Sequence, residues 1–265
     1  MSLWHCHVEG ALATLSFDRP PYNWLSVAAL GELSEHLGAI ADDREIGLVV
    51  LRSAVPDWFV AHADLDDLAL LSEGALPDAR LWYTTFRLLE EIPQPVLAAV
   101  DGRAGGGGVE LLLAATLRVA SGRSTFSLPE TSLGIIPGAG GTQRLSRLVG
   151  VGSAADLVLT GRVVDGGAAH ALGLVERVLG DDTFEEELAE LAREILRRPV
   201  GALHAAKKAL VEGSRMPLGD AFKLEGGLFA GLLGGTESKE LVAALRTRYD
   251  ETTAPAPVPF AVHAR

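Results

Sequence analysis

Cysteine is almost missing from this chain: Cys6 is the only one in 265 residues. An internal disulfide is therefore impossible, which fits a reducing compartment. Basic charge is also scarce, with 23 Lys and Arg against 35 Asp and Glu and a formal net charge of −12. Binding to nucleic acid through its phosphates needs Lys/Arg clusters, so a nucleic-acid partner is not expected. An anionic ligand would depend on local basic residues. No run of about 18 uncharged apolar residues occurs, and no membrane span is expected. Nor does an h-region of the signal-peptide kind stand near the start, so a cytoplasmic location is expected. His5, Cys6 and His7 invite a metal reading, but no second group of ligands accompanies them. Alternation along a first strand accounts for them as well, and no metal is expected.

What is present is an ordinary globular mixture, 48% apolar with 30 Gly and 13 Pro. It is long enough for a sizeable core. Residues 10–17 read as a strand ending at Arg19-Pro20-Pro21. A helix is expected over 26–41, with Leu30, Leu33, Leu37 and Ile40 at helical spacing. Residues 46–52 and 95–100 are continuous apolar runs typical of buried strands. Between them, 65–91 reads as helical with a break at Pro77. A helix over 107–115, a strand over 117–121 and a short strand near 125–128 follow. This alternation indicates an α/β core with crossover connections. Beyond about residue 182 only helical patterns remain, over 184–197, 201–213, 217–233 and 237–249. The last fifteen residues, rich in Pro and Ala, read as an extended tail.

Two glutamates carry the most information. Glu110 lies in GGGGVELLLAA and Glu130 in FSLPETSLGIIPGAGGTQRL, each beside a glycine-bearing loop. Two carboxyls in one apolar site can divide into an acid and a base, because two like charges so close do not both ionise easily. Taken singly, Glu110 also reads as a dipole-favoured surface carboxylate and Glu130 as an ordinary loop residue. The glycines at 105–108 sit between a strand and a helix, where a dinucleotide loop would stand, but no G-x-G-x-x-G fits over 102–110. GAGGTQR at 138–144 lacks the Lys-Ser/Thr ending of a phosphate loop.

Four stretches in order carry a family pattern: RPPYNWL at 19–25, WFVAHADLDDL at 58–68, AAVDGRAGGGGVEL at 98–111 and LPETSLGIIPGAGGTQRLSRLVG at 128–150. With these the chain resembles the crotonase superfamily, the enoyl-CoA hydratase/isomerase family, over roughly residues 8–250. The resemblance implies an α/β fold, a spiral of ββα units over 1–196, with a helical C-terminal trimerisation region over 197–250 and the tail at 251–265. It implies that Ala63 and Gly107 supply the two N–H groups of an oxyanion hole, and that Glu110 and Glu130 are the catalytic pair. Gly138 matches a glycine whose N–H faces the hydroxyl site, and Ala61 a backbone contact to the adenine of CoA. Asp64 closes the same AHAD stretch and is taken as substrate-binding with Ala61 and His62. The activity implied is addition of water to a 2-enoyl-CoA, with Glu110 the base and Glu130 the proton donor. Isomerisation of a double bond is the alternative within the family, and a non-catalytic CoA-binding assembly subunit the alternative outside enzymes. The implied partners are an acyl-CoA thioester and further copies of the chain, as trimers or hexamers. No separate cofactor is implied, since CoA arrives as part of the substrate.

Some positions depart from the pattern. His62 stands where the family usually has glycine, and a Cβ there restricts the loop that offers the Ala63 N–H. It either points to solvent or lines the CoA channel. In the last helix, Ala244 or Leu245 falls where an aromatic is expected. Arg246 and Arg248 remain as phosphate partners, with Arg19 and Lys239 behind them, against a plain reading as solvated charges. Trp82, Tyr83 and Phe86 lie where the family shapes the acyl pocket, although an amphipathic helix packing on a core explains them too.

Overall fold

The computed structural model describes residues 2–251. The tail expected over 251–265 therefore lies outside the described residues, apart from Glu251 at the end of the last helix.

The chain opens with β1 (Trp4–Glu9) and β2 (Leu12–Phe17), an antiparallel pair turning at Gly10, where φ is +56°. Helix α1 (Val27–Asp42) follows, its first turn capped by the Ser26 hydroxyl accepting from Ala29 N–H. Leu30, Leu33, Leu37 and Ile40 are all buried, as their spacing predicts. Next come β3 (Leu48–Ser53), β4 (Trp58–Val60), α2 (Leu65–Ser72) and α3 (Leu81–Glu91). The chain returns through β5 (Val96–Val100), β6 (Arg103–Gly105) and α4 (Gly107–Leu113). A third pass has β7 (Leu117–Ser121), β8 (Thr125–Ser127), a 3-10 helix (Glu130–Leu133), α5 (Gly141–Val149) and α6 (Val151–Thr160).

Each of these three passes places one strand in each of two sheets. The larger sheet has the order β1-β2-β3-β5-β7-β10, where β10 is Arg177–Leu179, and is parallel from β2 onward. The smaller has the order β4-β6-β8-β9, where β9 is Val164–Asp165. A strand, a second strand and helical structure per turn make a spiral in which successive turns stack strand on strand. This is the ββα spiral of the crotonase fold. The buried run Leu48–Leu51 of β3 and the fully buried β5 reflect cover on both faces. On one face lies the main core with α1, α3 and α4; on the other, Leu48, Val50, Leu97 and Val119 meet Phe184, Leu188 and Leu191.

Those last three residues belong to α8 (Phe184–Leu196), which follows α7 (Gly166–Leu172). Three more helices complete the C-terminal region: α9 (Val200–Gly213), α10 (Leu218–Leu233) and α11 (Thr236–Glu251). The helical segment expected over 65–91 with a break at Pro77 is two helices separated by residues 73–80, an interruption that includes Pro77 and is longer than one residue. No helix of the described residues is long and apolar enough to cross a membrane.

Close packing of the passes depends on glycine at one junction above all. Any Cβ on Gly108 would stand 2.4 Å from the Val60 carbonyl oxygen, so only glycine lets α4 lie directly on β4. That contact brings the start of α4 beside the loop that follows β4.

Candidate active site

Gly106 N–H pairs with Ser127 O at 2.9 Å, and its φ of +47° turns the chain from β6 into α4. The helix begins at Gly107, whose N–H donates to no group among the described residues, as expected for a first helical residue. The loop after β4 is held on both sides of Ala63: Leu25 N–H donates to His62 O at 2.9 Å and Asp64 N–H to Leu25 O at 2.8 Å. The Ala63 N–H is left without a partner among the described residues. A methyl group on Gly107 would lie 3.4 Å from Ala63 N and 3.0 Å from Trp82 Cζ3. Two unpaired N–H groups therefore border one small space beneath the Trp82 ring.

Glu110 is the last residue of the first turn of α4 and is 4% exposed. Its Oε1 accepts from Ala139 N–H at 2.8 Å and from Gly141 N–H at 2.7 Å. Burial pushes the Glu110 carboxyl above its usual range, against the pull of those two N–H groups and of the Arg144 guanidinium. Gly141 starts α5, so the positive end of that helix also faces the carboxylate.

Glu130 opens the 3-10 helix after Pro129. Its Oε1 would stand 3.0 Å from a methyl on Gly106, one residue before the Gly107 donor. Its Oε2 is buried and makes no hydrogen bond. Burial, with the nearby charge of Glu110 as a smaller contribution, pushes the Glu130 carboxyl up to about 7. The residues that the sequence places twenty positions apart are thus near enough for their charges to interact, in contrasting environments.

The other expected site residues divide clearly. Trp82 is half-buried against Gly107, whereas Phe86 is fully buried behind it, edge-to-face with Trp82 at 6.1 Å. Tyr83 is 57% exposed, on the solvent side of α3. Gly138 is exposed, and its N–H has no partner among the described residues. Ala61 N–H donates to Tyr22 O at 3.2 Å, and its own carbonyl packs against Gly105. Asp64 is occupied: it caps α2 by accepting from Asp66 N–H and pairs with Arg19 at 2.6 Å. Burial raises its carboxyl, but Arg19 and the cap outweigh that and hold it below the usual range. Arg19 is accordingly committed to Asp64 and to the Trp24 carbonyl, which it reaches at 2.6 Å. Lys239 and Arg246 are exposed on α11, and among the described residues no hydrogen bond or ion pair joins them to the glutamate loops.

His62 resolves into a definite geometry. Its Nδ1 lies 2.6 Å from Ala63 O, and its ring stacks on Trp24 with centroids 6.1 Å apart. A carbonyl oxygen only accepts, so Nδ1 carries the proton in this contact. His62 is not among the residues of positive φ, so its Cβ is carried without backbone strain.

Sequence reasoning did not single out three charged residues near the site. Arg144 and Glu90 form a half-buried ion pair at 2.7 Å beside the Glu110 loop. Lys207, on α9, is 3% exposed and donates to the carbonyls of Leu89, Ile92 and Gln94 at 3.0, 2.6 and 2.9 Å. Burial pushes its ammonium down to about 7, with the charge of Glu90 opposing. Only Arg144 had a detectable signal, its place one helical turn after the glycine loop.

Comparisons with known proteins bear on the family and the fold. A family model described as enoyl-CoA hydratase/isomerase matches residues 7–255. The mitochondrial methylglutaconyl-CoA hydratase of Mus musculus is 35% identical over 232 residues, 85% of this chain and 74% of the relative. The short-chain-enoyl-CoA hydratase of Clostridium acetobutylicum is 34% identical over 239 residues, 89% of this chain and 91% of the relative. Among solved structures, an enoyl-CoA hydratase from Bacillus anthracis superposes with a TM-score of 0.86 at 34% identity, covering 93% of this chain and 96% of the other. With the ββα spiral, the two glutamates and the paired N–H groups in place, the chain belongs to the enoyl-CoA hydratase/isomerase family of the crotonase superfamily.

Proposed function

We propose that this chain is an enoyl-CoA hydratase, a hydro-lyase that reversibly adds water across the double bond of a 2-enoyl-CoA. The observation that carries the reading is the convergence of Glu110 and Glu130 beside the unpaired N–H groups of Ala63 and Gly107. The thioester oxygen accepts from both N–H groups, which draws electron density from C3 and stabilises the enolate that forms. Water attacks C3 and gives a proton to Glu110, while Glu130 gives its own proton to C2. Both protons and the water oxygen are accounted for, and both additions occur on the face that the glutamates share.

The division of roles follows from the environments. Burial raises Glu110, but two N–H donors, a helix N-terminus and Arg144 oppose that and favour its ionised form, the support that Glu130 lacks and a base requires. Glu130 has an unbonded, buried oxygen and a value near 7, suited to a group that gives a proton at neutral pH. Trp82 walls the acyl side, and Ala61, His62 and Gly138 border the approach. The scheme uses no metal or redox cofactor; CoA enters with the substrate. Phe222, Phe229 and Leu218 on α10 are more than half exposed, an apolar face that supports assembly into trimers or hexamers. We propose a cytoplasmic location, which the single free cysteine fits.

Crotonyl-CoA hydration, followed by loss of the conjugated thioester absorbance, tests the reading. Glu130→Gln should abolish it and Glu110→Gln should reduce it strongly. Unchanged turnover in both variants rejects the dyad. Faster conversion of a 3-enoyl-CoA than hydration of a 2-enoyl-CoA assigns isomerase chemistry. Binding of CoA esters without any turnover assigns a binding subunit. Light scattering of the purified protein reads the oligomer.

A further inference from the structure

Arg144 reaches the catalytic base through the backbone. It lies in the first turn of α5, its Nε donating to Glu90 Oε1 at 2.7 Å and its Nη1 to the Ala139 carbonyl at 2.7 Å. Ala139 is the residue whose N–H donates to Glu110 Oε1 at 2.8 Å. One peptide segment is therefore gripped from both sides, by the guanidinium at its oxygen and by the glutamate at its nitrogen. Gly140, the next residue, has a φ of +103°, and a methyl there would stand 2.2 Å from Arg144 Nη1. The guanidinium thus fills the place a side chain would take over the bend. The Glu90 and Arg144 side chains are 11% and 15% exposed, and Arg215, between α9 and α10, adds a second cation 2.8 Å from Glu90.

We propose that Arg144, anchored by Glu90, is a positioning residue for the hydration: it sets the 139–141 bend so that two N–H groups converge on Glu110. The inference rests on the reading of Glu110 as the base. A bend left to itself would sample orientations in which one N–H or both miss Oε1, and Glu110 would lose its place opposite Glu130. The charged groups facing Glu110 are Glu130 from the 3-10 helix and Arg144 from α5; those facing Arg144 are Glu110 and, from α3, Glu90, itself paired with Arg215.

Steady-state kinetics and pH profiles of Arg144→Met, Arg144→Lys and Glu90→Gln test it on the full chain. Arg144→Met should lower kcat at least about tenfold with KM within about threefold. It should also move the acid limb of kcat to higher pH, because the Glu110 carboxylate loses a facing cation. Arg144→Lys keeps the charge without the planar fork, so the acid limb should stay while kcat remains reduced. An ion pair that merely ties α3 to α5 would lower Tm and leave kcat per folded site and the pH profile at wild-type values; that result overturns the proposal. Should Arg144→Met not fold, Glu90→Gln decides: a severalfold fall in kcat at constant KM supports it, and wild-type kcat overturns it. Glu110→Gln, assayed alongside, separates the two readings. A fully active Glu110→Gln rejects the base itself, whereas an inactive one beside a normal Arg144→Met rejects only the role of Arg144.

Discussion

Gly107 and Ala63 face one another across a gap that a single methyl group would close, 3.4 Å from the Ala63 nitrogen. Gly107 does not have a positive φ, so alanine is tolerated by the backbone there. Gly107→Ala should therefore fold normally and fail in catalysis, because the added methyl occupies the space of the thioester oxygen. A fall in kcat of about 100-fold or more is expected, the scale of a lost oxyanion donor. Circular dichroism and Tm should match wild type. A variant with normal kcat would remove Gly107 from the oxyanion site.

Glu130 ties activity and stability to pH in the same direction, both falling as its proton is lost. Its folded value of about 7 lies above the 4.5 of an ordinary glutamate, so the folded state holds the proton more tightly. The linked stability is fully present below about 4.5 and is lost as pH rises through 7. Glu130→Gln removes that loss and should raise stability by about 1–2 kcal/mol at pH 8, after allowance for partial solvent screening. At pH 4 the gain should vanish. Urea melts at the two pH values measure it. The wild-type kcat should fall on the alkaline side as the donor proton is lost, and the stabilised variant should be inactive.

His62 holds the loop of one donor through its Nδ1–H bond to Ala63 O and its stack on Trp24. His62→Gly removes both. One neutral hydrogen bond is worth about 1 kcal/mol, so kcat/KM for crotonyl-CoA should fall roughly fivefold. The pH limbs set by the glutamates should stay where they are. Unchanged kcat/KM would make the imidazole a bystander.

Lys207 closes three carbonyls at the end of α3 and the start of β5. Lys207→Met keeps the volume and leaves those oxygens without their donor. A loss of about 3 kcal/mol is expected, or roughly 6–12 °C in Tm for a chain of this size. Because Lys207 lies behind Glu90 and away from the pocket, kcat per folded molecule should be nearly unchanged. A Tm equal to wild type would mean water or rearranged backbone satisfies the three oxygens.

What could be read in advance depended on how far each signal extends along the chain. The α1 stripe of Leu30, Leu33, Leu37 and Ile40 is set by local periodicity, and the structure buries all four. The apolar runs at β3 and β5 are legible for the same reason. The strands β4 and β6 have three residues each, too short for a period, so the two-sheet spiral emerges only from the pairing of Trp58 with Arg103 and Arg103 with Thr125. Between 134 and 180 the chain carries motifs but no clear period, because α5, α6, α7, β9 and β10 are short. At the site, the glutamates and the glycine loops were legible as motifs. The partners of Arg144 and Lys207 were not, because backbone carbonyls leave no mark in side-chain pattern. Lys207 meets its acceptors more than a hundred residues away.

Gly107 and Glu110 stand on one turn of α4, and three residues of α-helix advance about 4.5 Å. Oxygen holder and water holder are thereby two marks on a single rigid rod. The carbon that meets water is chosen by that fixed interval, measured from the thioester oxygen. Changes at Trp82 or farther along the acyl wall should alter which tails fit while leaving the hydroxyl on the same carbon. Chain-length preference can therefore drift in evolution or be engineered without loss of regiochemistry.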